Sequence, residues 1–120
     1  MAPRPPLLFL HGVRLSGAMW EPQRRKLAGE FTVLTPDLPG HRTLRRERFT
    51  FDAAVGAARR ALDEAEAGGC VVVGLSLGGY VAMEMLRVCP ERLRGAVLSG
   101  CTREPTGVSA RVHDLVAWLS

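Results

Sequence analysis

The chain has 120 residues, 47% of them apolar, which suits one globular unit with a buried core. Its formal charge is +4 and Lys26 is the only lysine among 16 basic residues, yet no aromatics interleave the arginines and no recognised module is present, so nucleic-acid binding finds no second support. Three cysteines, Cys70, Cys89 and Cys101, form neither an even set nor a close-spaced ligand pattern; they read as reduced small hydrophobes, and no metal or disulfide is implied.

In chain order, the first element is the apolar run Leu7–Leu10. It is too short for a signal-peptide core or a membrane span of ~20 residues, so a cytoplasmic protein without membrane contact is expected. Trp20–Leu27 reads as a helix with Pro22 in its first turn, and Phe31–Pro36 (FTVLTP) as a strand. The connection His41–Phe49 carries Arg42, Arg45, Arg46 and Arg48; between an anion-steering patch and a solvated loop, the second reading is preferred. Thr50 caps a helix in which Val55, Ala58, Leu62 and Ala65 share one face, with Gly68–Gly69 as its stop. Cys70–Gly74 (CVVVG) is a strand. From Leu77 to Val88 a helix aligns Val81, Met85 and Val88, and Pro90 prevents its continuation. Gly95–Gly100 (GAVLSG) is the fourth strand, and Ser109 caps a last segment with the apolar stripe Val112, Leu115, Val116, Leu119. The strand-like runs are apolar throughout and alternate with helices, which predicts an α/β fold: an open parallel sheet with flanking helices and right-handed crossovers.

In such a sheet, chemistry gathers at the carboxyl ends of the strands. Three of those ends are distinctive: His11–Gly12 after the first strand, Pro36–His41 (PDLPGH) after the second, and Gly74-Leu75-Ser76-Leu77-Gly78 after the third. The last matches the G-x-S-x-G nucleophile elbow, a turn so tight that a bulky residue at either glycine would collide with the backbone or the following helix. It places a hydroxyl at a helix N-terminus, where backbone N–H groups favour negative charge. A phosphate-binding reading fails, because no lysine follows the glycines and GLSLGG does not fit G-x-G-x-x-G.

These pieces, FLHGV, DLPGH, GLSLGGYVAMEM and PERLRGAVLSG, resemble consecutive blocks of the α/β-hydrolase fold family, specifically its small cofactor-independent serine hydrolases with an HG oxyanion loop. The resemblance covers roughly Leu7 to Gly100. It implies that Ser76 is the nucleophile, that the backbone N–H groups of Val13 and Leu77 form the oxyanion hole, and that Gly12 lets the backbone approach while His11 shapes the oxyanion loop. Asp37 and His41 are then loop-ordering residues, and Arg42 stands where the family often has another glycine. The family's sheet order would be Phe31–Pro36, Leu7–Leu10, Cys70–Gly74, Gly95–Gly100, corresponding to 4-3-5-6 in the family's strand numbering, with residues 103–120 beginning a lid or a helix after the last strand.

A serine hydroxyl needs a histidine to take its proton and an acid to hold that histidine. The family's order is Ser, then Asp or Glu, then His. Glu104 lies near one acid position but reads better as an exposed loop residue, and His113 as an exposed helix residue. The expectation is therefore the N-terminal part of a single hydrolase domain spanning 1–120. It would act on an ester, lactone, thioester or similar carbonyl substrate through an acyl-enzyme and stop before the acid and histidine, with this chain alone inactive. The alternative is a catalytically inactive binding or interaction module. The expected partner is a small acyl substrate, with self-association through the exposed sheet edge at Gly95–Gly100.

Overall fold

In the computed structural model, which describes residues 4–101, strands β1 (Leu7–Leu10), β2 (Val33–Leu34), β3 (Cys70–Leu75) and β4 (Leu93–Ser99) pair in parallel in the order β2-β1-β3-β4. This is the expected order. The expectations for Glu104, the Ser109 cap, His113 and the stripe Val112, Leu115, Val116, Leu119 lie outside the described residues. Register aligns Leu8 with both Leu34 and Val72, Leu10 with Gly74, and Gly74 with Leu98, so the carboxyl ends of β1, β3 and β4 finish at one level.

Alternation along β1 assigns the two faces of the sheet. Leu8 and Leu10 join Val72, Leu62, Val81 and Met85 in the main core, beneath helices α2 (Phe51–Glu64) and α3 (Leu77–Val88). Phe9 points the other way and packs on Trp20, with ring centroids 4.8 Å apart. That second face is therefore met by the 3-10 turn Gly17–Trp20, which leads into α1 (Glu21–Leu27) with Pro22 at its start. Ser16 caps the turn and Thr50 caps α2, each hydroxyl accepting a backbone N–H. Among the described residues, no helix is long and apolar enough to cross a membrane.

Several boundaries differ from the sequence reading, each for a local reason. Strand β2 keeps only Val33–Leu34 of the expected Phe31–Pro36. The Phe31 N–H still donates to Leu27 O in the turn that ends α1, and Pro36 has no N–H to give a ladder. Helix α2 stops at Glu64, before Gly68–Gly69, because Glu66 itself takes the left-handed conformation at φ 53°. The Ala67 N–H then reaches Leu62 O and the Glu66 N–H reaches Asp63 O, a Schellman closure with glutamate where glycine is usual. Ala65 is accordingly exposed, while Ala54 and Ala57 join the buried face. On α3, Val81 and Met85 are buried but Val88 is exposed, its expected place taken by Cys89. Burial pushes the Cys70 thiol up to about 11, consistent with its part in the core.

Strand β4 starts at Leu93, two residues earlier than read, with a register shift opposite Cys70/Val71. Arg92 secures this start by donating to Gly68 O, Ala67 O and the Asp63 carboxylate, so it ties β4 to the end of α2. Contrary to the expectation of a strand buried on both faces, β4 is largely exposed among the described residues, with Val97 at 57%. An apolar outer strand is a template for pairing. Replacing Val97 with lysine is expected to weaken any self-association of the purified chain by about tenfold or more, equivalent to ~1.4 kcal/mol. Sedimentation equilibrium of Val97→Lys beside the wild type checks this, and an unchanged mass distribution would exclude β4 as the contact.

Candidate active site

Ser76 sits where strand gives way to helix. β3 runs through Leu75, Ser76 is the N-cap of α3, and Ser76 holds φ 53° and ψ −110°, outside the regions that L residues ordinarily occupy. Two backbone hydrogen bonds fix that conformation: the Ser76 N–H donates to Ser99 O at 2.7 Å, and Ser76 O accepts from the Tyr80 N–H at 3.1 Å. No acidic side chain occupies the first turn of α3, so the positive end of the helix dipole beside the hydroxyl is not neutralised from within that turn.

The glycines around Ser76 are imposed by distance. A Cβ on Gly74 would stand 2.5 Å from Gly78 O, and one on Gly78 would stand 2.1 Å from Leu10 O. A Cβ on Gly79 would meet Cys101 Sγ at 2.5 Å. The first turn of α3 thus presses its backbone onto the end of β1. On the other side of that contact, Gly12 lies beside the elbow: its Cβ would be 3.7 Å from Leu75 O. His11, Gly12, Val13, Ser76 and Leu77 are therefore gathered at one end of the sheet, with Val13 packed against the core.

His11 is fully buried and both ring nitrogens are occupied. Nε2 accepts the Leu38 N–H at 2.9 Å, which leaves the proton on Nδ1 to donate to Gly12 O at 2.7 Å. Burial holds its pKa below the ordinary histidine value, against the opposing pull of the Gly12 carbonyl, and the nearby His41 reinforces the shift. His41 packs edge-on against this ring, centroids 4.9 Å apart, and its Nδ1 meets Pro39 O at 3.0 Å. Asp37 joins the loops: it accepts the Gly17 N–H at 2.8 Å and both the hydroxyl and the N–H of Thr43. Burial would raise its pKa, but the Thr43 hydroxyl, the two amides and the nearby His11 together hold it below the usual carboxylate value. Arg42 takes φ 43°, the left-handed conformation for which glycine is the low-cost residue.

Sequence reasoning missed three contributors here. Gly17 lies so close to the second strand's exit that a Cβ would stand 2.0 Å from Thr35 O. Thr43 ligates Asp37 six residues away, a spacing with no motif of its own. Ser99 acts through its carbonyl, which any residue would supply, so no side-chain signal existed to find it.

The alpha/beta hydrolase family profile matches residues 7–119. The chain belongs to the alpha/beta hydrolase family. Among its relatives within that family, the lipase LipV of Mycobacterium tuberculosis is 38% identical over 93 residues, 77% of this chain and 35% of the lipase. A pimeloyl-[acyl-carrier protein] methyl ester esterase of Nitrosospira multiformis is 32% identical over 102 residues, 82% of this chain and 39% of that enzyme. In structure, a thermophilic esterase from Thermogutta terrifontis matches with a TM-score of 0.78 at 31% identity, covering 93% of this chain and 42% of its own. The chain thus spans little more than a third of the length of these curated relatives.

Two outcomes follow from this geometry. Gly78→Ala is expected to cost about 1–3 kcal/mol or more, because a methyl cannot enter without parting α3 from β1. Gly29→Ala, with open space around it, should stay within about 0.5 kcal/mol. Denaturant unfolding of both variants checks the contrast. For pH, a buried neutral histidine with a lowered folded pKa leaves the unfolded state binding more protons as pH falls below about 6.5. Stability should therefore decline from there downward, at up to about 1.4 kcal/mol per pH unit for one proton. Asp37, shifted down, adds its own loss only as pH falls below the ordinary carboxylate range. Unfolding free energies of the wild type and His11→Gln between neutral and mildly acidic pH test this: the decline near 6 should flatten in the variant.

Proposed function

We propose that the chain carries the nucleophile and oxyanion half of a serine hydrolase acting on an ester, lactone, thioester or similar carbonyl compound. The single observation that carries this reading is the strained backbone of Ser76 between Gly74 and Gly78. Nothing in a simple strand-to-helix turn requires a non-glycine residue to bear that conformation with the glycines on either side of it in contacts too close for a Cβ. The kinship with a lipase and with methyl ester esterases supports the choice of carbonyl substrate.

In this mechanism Ser76 Oγ attacks the carbonyl carbon while its proton passes to a base, and the carbonyl oxygen takes up the negative charge of the tetrahedral intermediate. The N–H groups of Val13 and Leu77 receive that charge; losing one such donor costs on the order of 3–4 kcal/mol of barrier. His11 serves by position: with one nitrogen on Leu38 and the other on Gly12 it holds the oxyanion loop and has no lone pair left for Ser76. As the intermediate collapses, the C–O or C–S bond breaks and the leaving alcohol or thiol, or the ring oxygen of a lactone, takes the proton back from the base, leaving an acyl-serine for water to release. A second reading, a binding module without turnover, draws on the same commitment of His11, since neither of its ring nitrogens is free to act as the base.

With both His11 nitrogens committed to the loops, the chain is expected to label slowly with a fluorophosphonate, at least about 100-fold below a serine hydrolase whose histidine base is in place. Ser76→Ala should remove whatever labelling occurs, and mass spectrometry should locate the adduct on Ser76. Fast stoichiometric labelling would assign a base within the chain; an adduct elsewhere would overturn the assignment of Ser76.

A further inference from the structure

Two arginines stand apart from the chain's other cations. Arg14 and Arg42 both hold a left-handed backbone, at φ 60° and 43°, a conformation that is uncommon and unfavourable for a non-glycine residue. Both line a single open groove of about 550 Å³ with Leu15, Ser16, Ala18 and Met19. Asp37, the carboxylate of the same loop, is already taken by Gly17 and Thr43, and among the described residues no carboxylate forms an ion pair with either guanidinium. Arg24, Arg87 and Arg92 are by contrast each paired to an acid, and none of the other described cations without an ion pair lines this groove. The groove opens directly off the oxyanion loop, since Leu15 Cδ1 lies 3.4 Å from where a Gly12 Cβ would be and the Leu15 N–H donates to Gly12 O. Its wall is apolar at Leu15, Ala18 and Met19, with Leu15 45% exposed.

We propose that Arg14 and Arg42 form an anion-binding subsite that selects substrates whose apolar part carries a carboxylate or phosphate group. An aliphatic stretch would lie along Leu15 and Met19 while the guanidiniums take the oxyacid, which they match by paired N–H donors and permanent charge. The word substrate rests on the reading of Ser76 as nucleophile; the anion subsite itself does not, and the test separates the two.

Monomethyl adipate, dimethyl adipate and butyl phosphate are titrated into the full isotopically labelled chain, following the amide resonances of residues 13–16 and 42. The anionic probes are expected to bind at least about tenfold more tightly than the neutral diester, with the preference shrinking as salt is raised, and the tighter of the two names the oxyacid class. Arg14→Gly and Arg42→Gly, which place glycine where the backbone favours it, should abolish the preference without lowering the melting temperature, and Arg42→Lys should retain part of it. Ser76→Ala should leave it intact, so a fluorophosphonate adduct found away from Ser76 removes the reading of that residue as nucleophile while this measurement still decides the subsite. Equal affinity for anionic and neutral probes, no saturable binding of any of them, or a preference that survives both glycine variants overturns the proposal.

Discussion

The contact on which the rest depends is the one between Gly78 and the carbonyl of Leu10. A helix beginning one residue after a strand has nowhere to go unless its first turn can lie against the neighbouring strand's end, and here the gap is too small for even a methyl group. That approach draws the start of α3 over β1, which brings the Ser76 turn beside the His11–Gly12 turn. It also buries Leu77, Val81 and Met85 over Leu8, Leu10 and Val72, so one packing event fixes both the core and the spacing of the site.

A second layer of order comes from polar groups that spend their hydrogen bonds on loop backbones. His11 joins the loop after β1 to the loop after β2, and Asp37 joins that second loop to the Gly17 turn and to Thr43. Each buried polar atom in this set has a partner, which is what makes burial tolerable. Three connections that would otherwise move independently become one rigid rim. Preorganisation of this kind is how backbone donors stabilise charge without reorganising as it develops.

Much of the fold was legible because its signals are local. Val71–Val73 flanked by glycine, the Thr50 cap and Pro90 mark elements whose bounds follow from single residues, and Gly74, Gly78 and Gly79 announce close approach wherever they occur in that spacing. The sheet order came from the resemblance, since parallel pairing leaves no local trace. What was misread depends on neighbours distant in sequence or on exceptions to a residue's habit. Glu66 closes α2 in a conformation usually left to glycine, and β4 is apolar yet exposed on a surface that pattern alone treats as core. Of the site, the serine turn was readable from motif spacing, while loop-ordering by His11 and Asp37 came only from the resemblance. The Ser99 carbonyl and the Gly17 contact were not, because backbone atoms carry no residue identity.

The hydrogen bond from the Ser76 amide to the Ser99 carbonyl extends sheet pairing one step past the end of β3. Every strand pairing that positions this turn joins segments remote from one another along the chain, and such pairings bear the entropy of closing a loop before they return any contact energy. The turn's geometry is therefore conditional on the assembled sheet. With β3 and β4 out of register the Ser76 amide loses its acceptor, and nothing then holds the serine away from an ordinary, relaxed conformation.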